Sequence, residues 1–224
     1  MSAVLVVGAS RGIGHEFARQ YVQAGDRVLA THRKAEDAAH LSALGAEPVR
    51  LDVTDAGAVA LLAQRLSTER LDLVILNAGV YGPRTRGVES VSLAQFDAVM
   101  HANVWGPMQL ICATAPALAA ARGKLALISS RMGSSTLMND STGWLYRASK
   151  AAANSVLRAA SLELGAQGVV CMSFHPGWVK TDLGGPGAQI DVQTSVSGMR
   201  RVIAAANDSH NGKFLNYTGA QFDW

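Results

Sequence analysis

Cysteine is nearly absent: the 224-residue chain has two, Cys112 and Cys171, 59 positions apart and outside any CxxC or Cys/His cluster. That spacing argues against a disulfide scaffold and a structural zinc site, and suits a reducing, cytoplasmic compartment. Charge is sparse, with 17% Asp, Glu, Lys and Arg, and no run of five like charges occurs. The net charge of +3 is spread along the chain, so no nucleic-acid surface is indicated. Long apolar runs are also missing. Ala3–Val7 is apolar, but it lacks a basic flank and Gly8 follows at once, unlike a signal peptide. Met108 to Ala121 is the longest weakly polar stretch, and it reads as too short to span a bilayer. What is abundant is apolar residues, 49% of the chain, enough for one domain over residues 1–224 with a sizeable core.

Short β-branched runs alternate with longer helical patterns. Strands are expected at Ala3–Val7, Arg27–Thr31, Glu47–Leu51, Leu71–Leu76, Lys124–Ser129, Val169–His175 and Lys213–Leu215. Helical patterns lie near 13–24, 35–44, 55–67, 92–120, 144–165 and 191–206. A strand as uniformly apolar as Val4-Leu5-Val6-Val7 is covered on both faces. Alternating strand and helix implies right-handed crossovers and a parallel sheet. Ile13, Phe17 and Tyr21 recur on one helical face, and Gly25 ends that helix.

Between the first strand and first helix lies Gly8-Ala9-Ser10-Arg11-Gly12-Ile13-Gly14. A backbone cradle for phosphate needs residues without Cβ atoms at the turn, and free N–H groups at a helix N-terminus whose dipole favours an anion. Gly8, Gly12 and Gly14 meet those needs. Far along the chain, Tyr146 and Lys150 stand four residues apart on an expected helix and so share a face. An ammonium beside a phenol lowers a pKa that is otherwise about 10, making the hydroxyl a usable acid and base near neutral pH.

The series Gly8 to Gly14, Asn77-Ala78-Gly79 and Tyr146-Arg147-Ala148-Ser149-Lys150 resembles the short-chain dehydrogenase/reductases, with Asn103, Ser129-Ser130 and His175-Pro176-Gly177 in the family's order. Ser130 to Ser134 and Lys213 to Gly219 resemble the branch containing the C-signal factor and sniffer-type carbonyl reductases. The resemblance implies a single-domain Rossmann fold, doubly wound, with a parallel seven-stranded sheet and helices on both faces. It implies NAD(P)-dependent interconversion of a carbonyl and an alcohol, a small-molecule substrate, and a homodimer or homotetramer paired through helices 92–120 and 144–165. It assigns Tyr146 as proton donor and acceptor, Lys150 to the nicotinamide ribose, Ser130 to the substrate carbonyl, and Asn103 to a water relay reaching Lys150. Ser129, Ser134 and Ser135 are alternatives to Ser130, which is favoured because it follows the fifth strand. A signalling or regulatory protein of the C-signal type is the competing reading.

The cofactor residues implied by the same resemblance are Gly8, Ser10, Arg11, Gly12, Ile13, Gly14, Thr31, Arg33, Asp52, Val53, Asn77, Ala78, Gly79, Tyr146, Lys150, Pro176, Gly177, Val179 and Thr181. Thr31 would line the adenosine pocket, Asp52 and Val53 the adenine, and Val179 and Thr181 the carboxamide. NADP(H) is expected over NAD(H). The second strand ends Thr31-His32-Arg33-Lys34 without the carboxylate that receives ribose hydroxyls, while Arg33 and Arg11 suit a 2′-phosphate. Trp144, Trp178, Met138 and Leu183 are expected as apolar walls, and Leu183 to Gly187 as a flexible lid. Met100, Met108 and Leu110 are expected in the core.

Overall fold

Val4, Leu5, Val6 and Val7 are each fully buried, and they alternate between two cores, because successive side chains of a strand point to opposite faces. The computed structural model, which describes residues 1–224, is built on that alternation. Its strands are β1 (Ala3–Val7), β2 (Arg27–His32), β3 (Glu47–Arg50), β4 (Leu73–Leu76), β5 (Lys124–Ile128), β6 (Val170–His175), β7 (Lys213–Asn216) and β8 (Gln221–Phe222). They form one sheet in the order β3-β2-β1-β4-β5-β6-β7-β8. Val4, Val6, Leu73, Ile75, Ala126, Ile128, Met172 and Phe174 face one core; Leu5, Val7, Val74, Leu76, Leu125, Leu127 and Cys171 face the other. On the first side pack α1 (Gly12–Gln23), α2 (Asp37–Ala43) and α7 (Val192–Ala205). On the second pack α3 (Ala56–Arg65), α5 (Gly106–Ala121) and α6 (Trp144–Gly165). The fold is thus the expected doubly wound α/β type.

The expected seven strands become eight. All pairings are parallel except β7 with β8, which return through Tyr217-Thr218-Gly219-Ala220, with Gly219 at φ +98°. A two-residue strand with one apolar side chain carries too little periodicity to be read from sequence.

A second correction concerns the membrane. α4 (Leu93–Met100), a π-helical turn at His101–Trp105 and α5 form one helix of 29 residues, long and apolar enough by length and composition to cross a bilayer. Val99, Leu110, Ile111, Ala117 and Leu118 of this helix are buried; the last four pack into the sheet's second core. Its outer face exposes Met108, expected in the core, together with Phe96. The π turn has a local cause. Pro107 lacks the N–H that would continue an α ladder, and the Gly106 N–H bonds His101 O, five residues back.

Strand order reverses between β1 and β4. In open α/β sheets, ligands bind at the carboxyl ends of the strands where this happens. Gly8 follows β1 there and Asn77 follows β4.

Candidate active site

The glycine turn is held from below. Thr31 Oγ1 accepts the Gly8 N–H at 2.9 Å, and Asn77 Nδ2 donates to Gly8 O at 2.9 Å. Gly8 and Gly12 have φ of +81° and +55°, which glycine adopts without strain. A Cβ on Gly14 would overlap Gly8 O and come within 2.6 Å of Asn77 Nδ2. Above the turn, α1 begins without a side-chain cap and without an acid in its first turn, so its N–H groups stay available to an anion. The chain's own atoms therefore fit a nucleotide phosphate at this place.

Thr31 is buried under Gly8, and its side chain supports the loop. Asp52 Oδ1 accepts from Thr54 N and Oγ1, at 2.9 and 2.7 Å. The Thr54 bonds, helped by the positive charge of Arg33, hold the Asp52 carboxyl below its ordinary pKa despite partial burial. Val53 lies against Gly106, and Arg33 is exposed with no acidic partner. Arg11 is not free: it pairs with Asp182 at 2.6 Å, both side chains exposed. Ser10 and Ile13 flank it, half-buried.

A continuous path joins this turn to Tyr146 and Lys150. Ala78 packs against Gly8, and a Cβ on Gly79 would sit 3.0 Å from Asn103 Oδ1 and 3.5 Å from Lys150 Nζ. Lys150 Nζ donates to Ile128 O at 3.0 Å and lies 5.7 Å from the centre of the Tyr146 ring. Ser130 hydrogen-bonds the Tyr146 hydroxyl and its Oγ accepts from Met132 N at 3.1 Å. The three residues expected at the reacting centre thus converge. Of the alternatives, Ser129 is buried with no partner for its Oγ. Ser134 Oγ instead donates to Asp223 O.

The electrostatics differ from the expectation. Burial pushes the Tyr146 phenol up from its ordinary value; the Ser130 hydrogen bond opposes the rise and Tyr81 adds to it. Burial pulls Lys150 down to about 8. The ammonium is 5.7 Å from the ring centre and bonded to a carbonyl, and burial outweighs it at the phenol.

Asn103 sits in the π turn, and its amide is occupied. Oδ1 accepts from Val80 N at 2.8 Å, and Nδ2 donates to Val80 O at 2.8 Å and Ser149 Oγ at 2.9 Å. The side chain pins the loop after β4. Tyr81, next in that loop, stacks on Tyr146 with ring centres 4.6 Å apart and planes at 19°. Sequence reasoning missed it; its one signal was its place two residues after Asn77-Ala78-Gly79. His175 Nδ1 accepts from Arg131 N at 3.1 Å, and burial, with the charge of Arg131, lowers its pKa to about 4. It is a neutral support beneath Ser130.

The segment after β6 folds back on itself. Trp178 O accepts from Gln189 N at 2.9 Å, Lys180 N donates to Ile190 O at 2.9 Å, and Trp178 Nε1 donates to Gly184 O at 2.7 Å. The expected flexible lid is a hydrogen-bonded loop. Thr181 packs on Gly12, and its hydroxyl bonds Val179 O at 3.3 Å and Gly184 N at 3.1 Å. Val179 and Pro176 are buried, with Pro176 O accepting from Ser195 Oγ, and Gly177 turns at φ +85°. Trp144, Trp178, Met138 and Leu183 are all exposed.

The short chain dehydrogenase family pattern matches residues 2–189. The chain is 38% identical over 163 residues to the C-signal of Myxococcus xanthus, which covers 72% of this chain and 98% of that protein. Two solved structures are similar over the whole chain. The NADPH-bound carbonyl reductase from chicken fatty liver has a TM-score of 0.89 and 31% identity, with 99% of that chain covered. Carbonyl reductase Sniffer of D. melanogaster has a TM-score of 0.92 and 27% identity, with 100% of that chain covered. The chain belongs to the short-chain dehydrogenase/reductase family, resembling its C-signal and Sniffer members.

Proposed function

We propose that the protein is an NADP(H)-dependent reductase of carbonyl compounds, or dehydrogenase of the corresponding alcohols. The observation that carries this is the convergence of Tyr146, Ser130 and Lys150 beside Gly79, one contact removed from the glycine turn. A bound nicotinamide nucleotide supplies or accepts the hydride. Gly8, Gly12, Gly14 and the uncapped start of α1 would hold its phosphates, with Ser10 and Ile13 beside them. Val53 and Asp52, through its free oxygen, would face the adenine, and Asn77, Ala78 and Gly79 the adenosine side. Pro176, Gly177, Val179 and Thr181 would border the nicotinamide. Ser130 orients the substrate oxygen, Tyr146 donates its phenolic proton to that oxygen during reduction, and Lys150 keeps a positive charge beneath both. Asn103 acts through Val80. We further propose a cytoplasmic homodimer or homotetramer, with α5 and α6 pairing through exposed Met108 and Leu162.

Purified protein with NADPH and a panel of aldehydes, ketones and quinones should consume NADPH absorbance, and NADH should serve at least about tenfold less well. Arg33→Ala should narrow that preference, since it removes the cation placed for a 2′-phosphate. No turnover on any compound, despite cofactor binding, would count against the reaction; equal use of both cofactors would count against the preference.

The pH dependence follows from Lys150. Its pKa is pulled below the ordinary lysine value, to about 8, so the cation is present at neutral pH and lost as pH rises through that value. The rate constant kcat/KM for reduction should therefore fall above about pH 8, and Lys150→Arg should move the alkaline limb upward, because guanidinium stays charged. A profile flat to pH 10 removes Lys150 from this role. For stability the sign is opposite: between about 8 and the ordinary lysine value the unfolded chain holds a proton the folded one lacks, so this group adds stability as pH rises.

The likeness to C-signal supports a second reading, a nucleotide-binding signalling protein whose catalysis is incidental. It gives no reason for Ser130 to meet a buried Tyr146 and Lys150, since a sensor needs only the nucleotide site.

A further inference from the structure

The loop joining β4 to α4 holds Tyr81 against Tyr146 and Arg84 against Tyr81, and it is fixed at both ends. Val80 is gripped through both backbone polar groups by Asn103. Thr85 is buried, and its carbonyl accepts the Gly143 N–H at 3.0 Å, at the start of α6. Tyr81 and Arg84 lie between these fixed points. One face of the Tyr81 ring stacks on Tyr146; the Arg84 guanidinium carbon lies 4.9 Å from the same ring's centre, which leaves it the opposite face. Arg84 Nη2 also donates to Leu183 O at 3.1 Å, reaching the loop after β6 across the mouth.

An exposed arginine is ordinarily a solvated charge of little consequence. Arg84 differs in three respects. Its guanidinium is held by an aromatic face and a carbonyl, so less side-chain freedom is lost when a ligand binds. It has no acidic partner, whereas Arg11 at the same mouth is neutralised by Asp182 and Arg147 by Asp140. Four of its five N–H donors are unused within the chain. A second exposed cation, Arg131, follows Ser130 and also has no carboxylate partner.

We propose that Arg84 is a specificity-determining residue, recognising a carboxylate or similar anion set several bonds from the carbonyl that Tyr146 protonates. The inference rests on the reductase reading and narrows it to oxo acids and acidic aldehydes. A planar carboxylate matches two parallel guanidinium N–H groups, and the bond to Leu183 O can persist while they are engaged. Tyr81, wedged between guanidinium and phenol, sets the spacing between anion and carbonyl.

The test compares kcat/KM with NADPH for 4-carboxybenzaldehyde and 4-methylbenzaldehyde, two aldehydes of similar shape and different charge. The protein should prefer the carboxylate by about tenfold. Arg84→Gln should bring the ratio close to one, and Arg84→Glu should invert it. Arg86→Gln, which removes a neighbouring exposed cation, should leave the ratio as in the parent protein. A ratio equal in the parent and Arg84→Gln overturns the proposal. So does an equal loss in Arg86→Gln, which would indicate a diffuse positive field. Turnover of other carbonyl compounds but neither aldehyde also overturns it. Turnover of nothing in the wider panel refutes the reductase reading instead.

Discussion

Tyr146→Phe is expected to lower kcat for carbonyl reduction by about a thousandfold, within the range that a positioned proton donor contributes. The ring would remain where it is, buried and stacked on Tyr81 at 4.6 Å. Only the hydroxyl and its bond to Ser130 disappear. Ser130 keeps its second partner, Met132 N, so the loss of one hydrogen bond should lower stability by about 1 kcal/mol. NADPH affinity, followed by quenching of protein fluorescence, should change little, because the glycine turn and the start of α1 are untouched. The split between a large fall in kcat and a small change in binding distinguishes a proton donor from a packing residue. Activity retained within tenfold would remove Tyr146 from the chemistry and, with it, the basis for Ser130 and Lys150.

Gly14→Ala carries the second large effect, on folding and nucleotide binding together. Gly14 lies inside α1, where alanine is normally the better residue. Here the added methyl would overlap Gly8 O and press on Asn77 Nδ2, the group that fixes the turn. Backbone and side chain must both move, at a cost of about 3 kcal/mol. For a chain of this length that lowers Tm by about 10 °C. The same displacement spoils the phosphate cradle, so NADPH binding should weaken by about a hundredfold or more. Gly25→Ala is the matched control. Its φ of +83° is strained for alanine, but nothing lies within 4 Å, so it should cost about 1 kcal/mol and leave NADPH binding alone. Calorimetry and a NADPH titration of both variants decide the matter. Equal effects from the two glycines would mean that the close approach of Gly14 to Gly8 O and Asn77 carries no special cost.

The parts of the molecule legible in the sequence are those whose cause is local. β1 could be read because both its faces are covered, leaving five apolar residues in a row. α1 could be read because Ile13, Phe17 and Tyr21 mark one face and Gly25 stops it. The pairing of Tyr146 with Lys150 follows from helical spacing alone. What escaped depends on partners distant in sequence. Thr31 bonds Gly8, 23 residues earlier, a contact that no local pattern announces. The Asn103 amide bonds Val80 and Ser149, 23 and 46 residues away. Arg11 pairs with Asp182, 171 residues later, and only the folded chain brings the two together. Tyr81 and Arg84 carry no periodic signal, and only the folded loop brings Tyr81 against Tyr146 and Arg84 against Tyr81.

The π turn at His101–Trp105 has a consequence for how this molecule can vary. Each residue of an α-helix advances about 100° around its axis, so one residue more or fewer re-aims everything downstream. Excising a residue between His101 and Trp105 would restore even winding yet rotate Asn103 and Leu118 out of phase with each other. Either the grip on Val80 or the seating of α5 in the sheet would be lost. The irregularity acts as a fixed angular offset between two halves of one rod, and chain-length changes should be tolerated in the turns bordering this helix far better than within it.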